Sequence, residues 1–162
     1  MENLAIKPLH ACPQEFCSVL AGWSYYEWNE KRKVPYKAIL NEYQGRRKST
    51  SLPVTLAALY QNEPVGMVTM KDNDLRSRGE LIPWLSSLYV IPEMRKKGVG
   101  GSLVSELISL ARYMAYVKLY LFLAHESYGL ENFYVSRGWQ FLSEAVDNDG
   151  YDTKIYYYSI TS

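Results

Sequence analysis

The sequence predicts an α/β (α+β) fold, a central mixed, mostly antiparallel sheet with helices on both faces. Three observations carry that expectation. Strand-like apolar runs alternate with amphipathic helical stretches along all 162 residues. The run VKLYLFLA (117–124) is almost continuously apolar, as a strand covered on both faces requires. Glycines crowd the junction in YVIPEMRKKGVGGSLV (89–104), where a strand turns into a helix and the backbone must stay bare.

LAIKPL (4–9) reads as a short first strand stopped by Pro8. Residues 14–31 read as a helix burying Phe16, Leu20, Trp23 and Trp28. A second helix follows Pro35, with Ile39, Leu40 and Tyr43 at helical spacing and Gly45 as its C-cap. PVTLAALY (53–60) and PVGMVTMK (64–71) form an antiparallel hairpin across the turn Gln61-Asn62-Glu63. WLSSLYVI (84–91) is the next strand, entered at Pro83 and ended at Pro92. Leu103, Leu107, Leu110, Ala111 and Met114 then mark a helical stripe, followed by the strand at 117–124. A helix from about Ser127 carries Leu130, Phe133, Tyr134 and Arg137 and ends at Gly138. WQFLSEAV and TKIYYYSI flank an acidic turn as the last two strands. The order is β-α-α-β-β-β-α-β-α-β-β, and no linker or repeat divides it, so one domain over 1–162 is expected.

Composition bounds the function. Apolar residues make up 48% and charged residues 22%, an ordinary globular balance. No apolar run reaches the ~20 residues that cross a bilayer, and the N-terminus carries no signal-like core, so the expected location is cytoplasmic, away from membranes. A net charge of +1 argues against a nucleic-acid binder. The charge is unevenly spread: Lys31, Arg32, Lys33, Lys37, Arg46, Arg47 and Lys48 accompany one acid, Glu42, whereas Glu144, Asp147, Asp149 and Asp152 cluster near the end. Solvated surface accounts for both; guidance of an acidic acceptor by the basic stretch is the sharper alternative. Cys12 and Cys17 read as small, partly buried thiols, and with only His10 and His125 in the chain no metal site is expected.

The glycine junction fails two phosphate-binding patterns. A dinucleotide fingerprint lacks its third glycine at Leu103, and a P-loop lacks its lysine. What fits is R-x-x-G-x-G, as Arg95-Lys96-Lys97-Gly98-Val99-Gly100, ahead of Gly101 and Ser102. First-turn amides at a helix N-terminus have no intrahelical partner and sit at the positive end of the dipole, which suits a pyrophosphate.

LYVIPEMRKKGVGGSLV resembles the strand, loop and helix of the GCN5-related N-acetyltransferase (GNAT) family over about seventeen positions. LENFYVSRGW (130–139) resembles that family's second signature, a helix ending in aromatic-Tyr-x-x-x-Gly-aromatic. The resemblance spans nearly the whole chain and is best from 64 to 142. It implies an acetyl-CoA-dependent N-acetyltransferase acting on a primary amine, a small molecule or a peptide, by direct attack in a ternary complex. It also implies a β-bulge in the strand before the loop. Backbone groups of Leu88 and Val90 would bond pantetheine, an N–H near Leu88 or Tyr89 would polarise the thioester carbonyl, and Arg95, Lys96, Lys97, Gly98, Val99, Gly100, Gly101 and Ser102 would cradle the pyrophosphate. Tyr134 would be the general acid, and Asn132 a contact to the cofactor arm. The base is open between Glu80, His125 and a water path. Trp84 and the Trp23–Trp28 cluster either line the acceptor pocket or pack in the core. The tyrosine-rich KIYYYSI could pair across a homodimer edge. The reading from another class is a non-catalytic acyl-CoA-binding sensor.

Overall fold

The computed structural model of the chain describes residues 1–161. Its elements are β1 (Leu4–Pro8), α1 (Phe16–Ser24), α2 (Tyr36–Arg47), β2 (Val54–Tyr60), β3 (Glu63–Lys71), β4 (Trp84–Val90), α3 (Val99–Tyr113), β5 (Lys118–Ala124), α4 (Tyr128–Val135), β6 (Gln140–Val146) and β7 (Asp152–Ser159). The order is the one expected. The strands form a seven-stranded sheet in the order β1-β2-β3-β4-β5-β7-β6. The β4–β5 pairing is parallel, whereas β1–β2, β2–β3, β5–β7 and β6–β7 are antiparallel. The chain gathers into two compact units, Met1–Met70 with Ser87–Leu107 and Lys71–Ser86 with Ile108–Ser162.

In the first unit, α1 buries Phe16, Cys17, Leu20, Ala21 and Ser24, successive turns of one face. That face joins Leu9, Ile39, Tyr43, Ala57, Leu59 and Met67 in a core. The helix expected over 14–31 is two pieces. After Ser24 the chain makes one π turn, Tyr25–Asn29, closed by the Glu30 N–H on the Tyr25 carbonyl at 2.8 Å. Asn29 explains the break, because its side-chain amide donates to the Ser24 carbonyl (2.9 Å) and to Ser24 Oγ (3.1 Å), competing with the regular ladder.

Gly45 does not cap α2, which runs on to Arg47. Side-chain anchors beyond the glycine hold it. Arg46 is buried, lies 4.4 Å over the Tyr43 ring and donates to Thr55 Oγ1 at 3.4 Å, while Arg47 Nε donates to the Cys12 carbonyl at 2.9 Å. These two members of the basic stretch belong to the fold, which weakens the idea that the stretch as a whole guides an acidic acceptor. Cys12 and Cys17 are free, buried thiols whose pKa values burial pushes up. The β2–β3 hairpin turns on Gln61 and Asn62, both at positive φ (53° and 67°), as a two-residue type I′ turn requires.

In the second unit, β4 enters beside β5 at the pair Trp84–Tyr120, with the Tyr120 N–H on the Pro83 carbonyl at 3.0 Å. Leu75, Trp84 and Ile155 form the core there, packed by Leu81, Tyr120, Phe122 and Ala145. Trp84 is fully buried and its indole N–H donates to the Leu81 carbonyl at 2.6 Å, so it packs the core and lines no acceptor pocket. β7 pairs with β5 on one side and β6 on the other. From Thr153 to Tyr157 it is paired on both edges, so most of KIYYYSI is an interior strand and not the free dimer edge expected. Among the described residues no helix is long and apolar enough to cross a membrane.

Candidate active site

The site begins in β4. Ser87 adopts φ 56° in the middle of the strand, a left-handed residue that interrupts the regular extended backbone. Beyond it the strand alternates again. The Ile91 N–H donates to the Val65 carbonyl of β3 at 2.9 Å, so Tyr89 and Ile91 turn their peptide groups toward β3 and Leu88 and Val90 turn theirs to the opposite edge. Gly66 shows how closely β3 approaches, since a Cβ there would stand 2.9 Å from the Tyr89 carbonyl oxygen. On the other edge the Val90 carbonyl accepts a 2.8 Å bond from Arg95 Nε, and the guanidinium lies 5.5 Å from the Tyr89 ring centre. Tyr89 also meets Trp23 (5.3 Å) and Trp28 (6.4 Å), so these tryptophans pack against β4.

The loop follows directly. Pro92–Met94 form a single 3₁₀ turn, Lys96 and Gly98 take positive φ (61° and 88°), and α3 starts at Val99. Nothing lies within 4 Å of a Cβ placed on Gly98, so its glycine is required by φ and not by space. The helical ladder opens with the Ser102 N–H on the Gly98 carbonyl at 3.0 Å. The amides of Val99, Gly100 and Gly101 precede it and have no intrahelical partner. Lys96, Lys97 and Gly98 are exposed, and Val99 is buried and anchors the turn. Eight expected cofactor residues, Arg95 to Ser102, therefore form one continuous cationic turn entering a fifteen-residue helix.

The second unit supplies the remaining candidates. Tyr134 is 3% exposed on α4, and burial raises its phenol pKa well above the usual tyrosine range, with Arg137 pulling the other way. The phenol is therefore neutral and holds its proton at physiological pH. The end of α4 is a Schellman closure: the Gly138 N–H bonds the Val135 carbonyl (3.1 Å) and the Trp139 N–H bonds the Tyr134 carbonyl (3.2 Å), with Gly138 at φ 95°. Gly138 thus ends the helix as expected. Asn132, two residues before Tyr134, is exposed.

The two base candidates are both paired. Glu80 is exposed and accepts from Arg78 Nε at 2.5 Å, a bond that lowers its carboxyl pKa. His125 follows β5 and shares a 3.0 Å contact with Glu144 of β6, so its ring leans toward that edge of the sheet. Sequence reasoning missed three features: the left-handed Ser87 itself, the Arg95 side chain folded onto Val90, and the Trp139 ring against Tyr134. The first had no local signal, because serine does not announce positive φ; the last was present as the aromatic after Gly138.

The acetyltransferase (GNAT) family model matches residues 15–139. The chain belongs to that family. No curated protein sequence matches this GNAT chain. Its fold is similar to the aminoglycoside 6'-N-acetyltransferase complexed with coenzyme A (TM-score 0.74, 15% identity, 98% of each chain covered). It is also similar to yncA of Salmonella typhimurium with its cofactor acetyl-CoA (TM-score 0.75, 17% identity, 99% of this chain and 96% of that one). The acetyltransferase of the GNAT family from Streptococcus pneumoniae is a third (TM-score 0.71, 17% identity, 98% and 99%).

Proposed function

We propose that this GNAT protein is an acetyl-CoA-dependent N-acetyltransferase that works as one catalytic domain on a primary amine. One observation carries the reading: β4, with Ser87 in left-handed backbone, runs through a cationic turn into a helix whose first three amides have no intrahelical partner. Acetyl-CoA presents the chemistry that matches those parts. Its pyrophosphate fits the amides of Val99, Gly100 and Gly101, just ahead of Ser102, with the charges of Arg95, Lys96 and Lys97. Its pantetheine amides fit the Leu88 and Val90 groups that face away from β3. Arg95 must release the Val90 carbonyl for the arm to use that oxygen. That neighbours of the same fold were solved with acetyl-CoA or CoA supports the assignment. Two buried free thiols suit the reducing cytoplasm.

The reaction needs no covalent enzyme intermediate. The amine nitrogen attacks the thioester carbon while an N–H near Leu88 or Tyr89 stabilises the developing oxyanion. The C–N bond forms, the C–S bond breaks, and the electron pair leaves on sulfur. Tyr134 gives that sulfur its proton, and the proton released by the amine, taken up through Glu80, His125 or water, restores the phenol. The sum is acetyl-CoA and amine to acetamide and CoA thiol. Asn132 is proposed to contact the cofactor arm. A homodimer would have to use a surface other than β7 over residues 153–157, which are paired on both edges.

The test is CoA thiol release from acetyl-CoA against pooled amino acids, polyamines, aminoglycosides and short peptides, wild type beside Tyr134→Phe. Release stimulated by one pool and lowered at least about a hundredfold in the variant supports the enzyme and its acid. Binding of acetyl-CoA with no release from any pool would favour a sensor, and no binding would end the reading.

A further inference from the structure

The Schellman closure places Trp139 directly on the residue proposed to donate the proton. In that motif the residue after the left-handed glycine packs against the residue five positions earlier, here Trp139 on Tyr134. Their rings meet edge to face, 5.5 Å between centres and 71° between planes. On its other side Trp139 meets Tyr158 of β7 at 5.7 Å and 49°. Phe133 closes a further side of Tyr134 at 5.0 Å and 85°, and is itself held under the Arg137 guanidinium at 3.8 Å.

We propose that Trp139 is a positioning residue for Tyr134: its indole, wedged between Tyr134 and Tyr158, fixes the direction in which the phenol hydroxyl points. The inference rests on the acid role proposed above. Plain core filling does not account for this indole. Trp139 is 2% exposed, yet its ring N–H has no hydrogen-bond acceptor among the described residues. A phenylalanine would fill the site without stranding a buried donor. What the wider indole adds is reach, touching a ring on α4 and a ring on β7 at once. The wedge has no slack on the backbone side, where a Cβ on Gly138 would already stand 3.3 Å from the Tyr158 ring. A proton donor gains most when its hydroxyl is held where the departing sulfur will be, and a small misdirection costs rate without costing cofactor affinity.

A double-mutant cycle tests this, reading kcat for thiol release with the most active acceptor pool, or acetyl-CoA hydrolysis where no pool responds. Trp139→Leu should lower kcat about tenfold with the acetyl-CoA KM unchanged, a part of what a positioned acid contributes. In the Tyr134→Phe background the same change should cost less than about twofold, because the two residues act through one hydroxyl. Trp139→Phe should recover only a small part of the loss, because the narrower ring cannot touch Tyr134 and Tyr158 at once. Equal losses in both backgrounds, or no loss in either, would overturn the proposal by making Trp139 structural or irrelevant. If Tyr134→Phe alone retains full kcat, the acid reading falls and this one with it. Calorimetric acetyl-CoA binding checks that each variant folds; if Trp139→Leu does not, Trp139→Phe runs the same cycle, and equal losses there overturn the proposal too.

Discussion

At single residues, the two side chains proposed to move protons titrate in informative directions. Arg78 donates to Glu80 and holds its carboxyl pKa below the ordinary value. A base with a lowered pKa stays ionised further into acid, so activity that depends on it falls only at low pH. Arg78→Ala removes the bond, returns the carboxyl toward its usual range, and moves the acid limb of kcat to higher pH. An acid limb that stays in place in Arg78→Ala would take Glu80 out of the reaction and leave His125 or the water path. Tyr134, as the proposed proton donor, would set the opposite limb. Burial raises its pKa, so the proton donor is lost only as pH climbs beyond the ordinary tyrosine value of about 10. The alkaline limb of kcat should therefore lie above that value, and Tyr134→Phe should abolish it.

At the scale of elements, β4 and its loop depend on two glycines for different physical reasons, which predicts different failures. A Cβ on Gly66 would meet the Tyr89 carbonyl oxygen at 2.9 Å and Leu103 Cδ1 at 3.2 Å, so Gly66→Ala must push β4 from β3. We expect a loss of about 1–3 kcal/mol in denaturant unfolding, the usual cost of overpacking, together with weaker acetyl-CoA binding. Gly98 has open space but φ 88°, so Gly98→Ala should cost about 1–2 kcal/mol through backbone strain alone, and Gly98→Asn less. Equal costs for Ala and Asn would show that φ is not the constraint. The Gly98 turn was legible in the sequence, because glycines and cations before an amphipathic stripe have few other uses. The π turn at Tyr25–Asn29 was not, since it depends on where the Asn29 amide lands. Nor was the end of α2, where the tertiary anchors of Arg46 and Arg47 override the stop at Gly45. Local pattern reports local physics; partners distant in sequence decide the rest.

For the whole molecule, the order of elements followed from periodicity, but the order of strands did not, and the interior place of β7 corrected the one surface assigned from composition. Ligand binding offers a test at the same scale. A ligand that binds only the folded chain raises stability by about 2.7 kcal/mol at a hundredfold excess over its Kd. For a chain of this size that corresponds to a rise of roughly 5–10 °C in Tm. Acetyl-CoA should give such a rise. S-acetyl-pantetheine at the same concentration should give less than half of it, because it reaches β4 but has no pyrophosphate for the Arg95–Ser102 turn. Net charge is only +1, so long-range attraction is slight and the charge that matters is local. Added salt should therefore shrink the acetyl-CoA shift through Arg95, Lys96 and Lys97 and leave the S-acetyl-pantetheine shift unchanged. Equal shifts for the two ligands, insensitive to salt, would mean that the glycine turn holds no pyrophosphate.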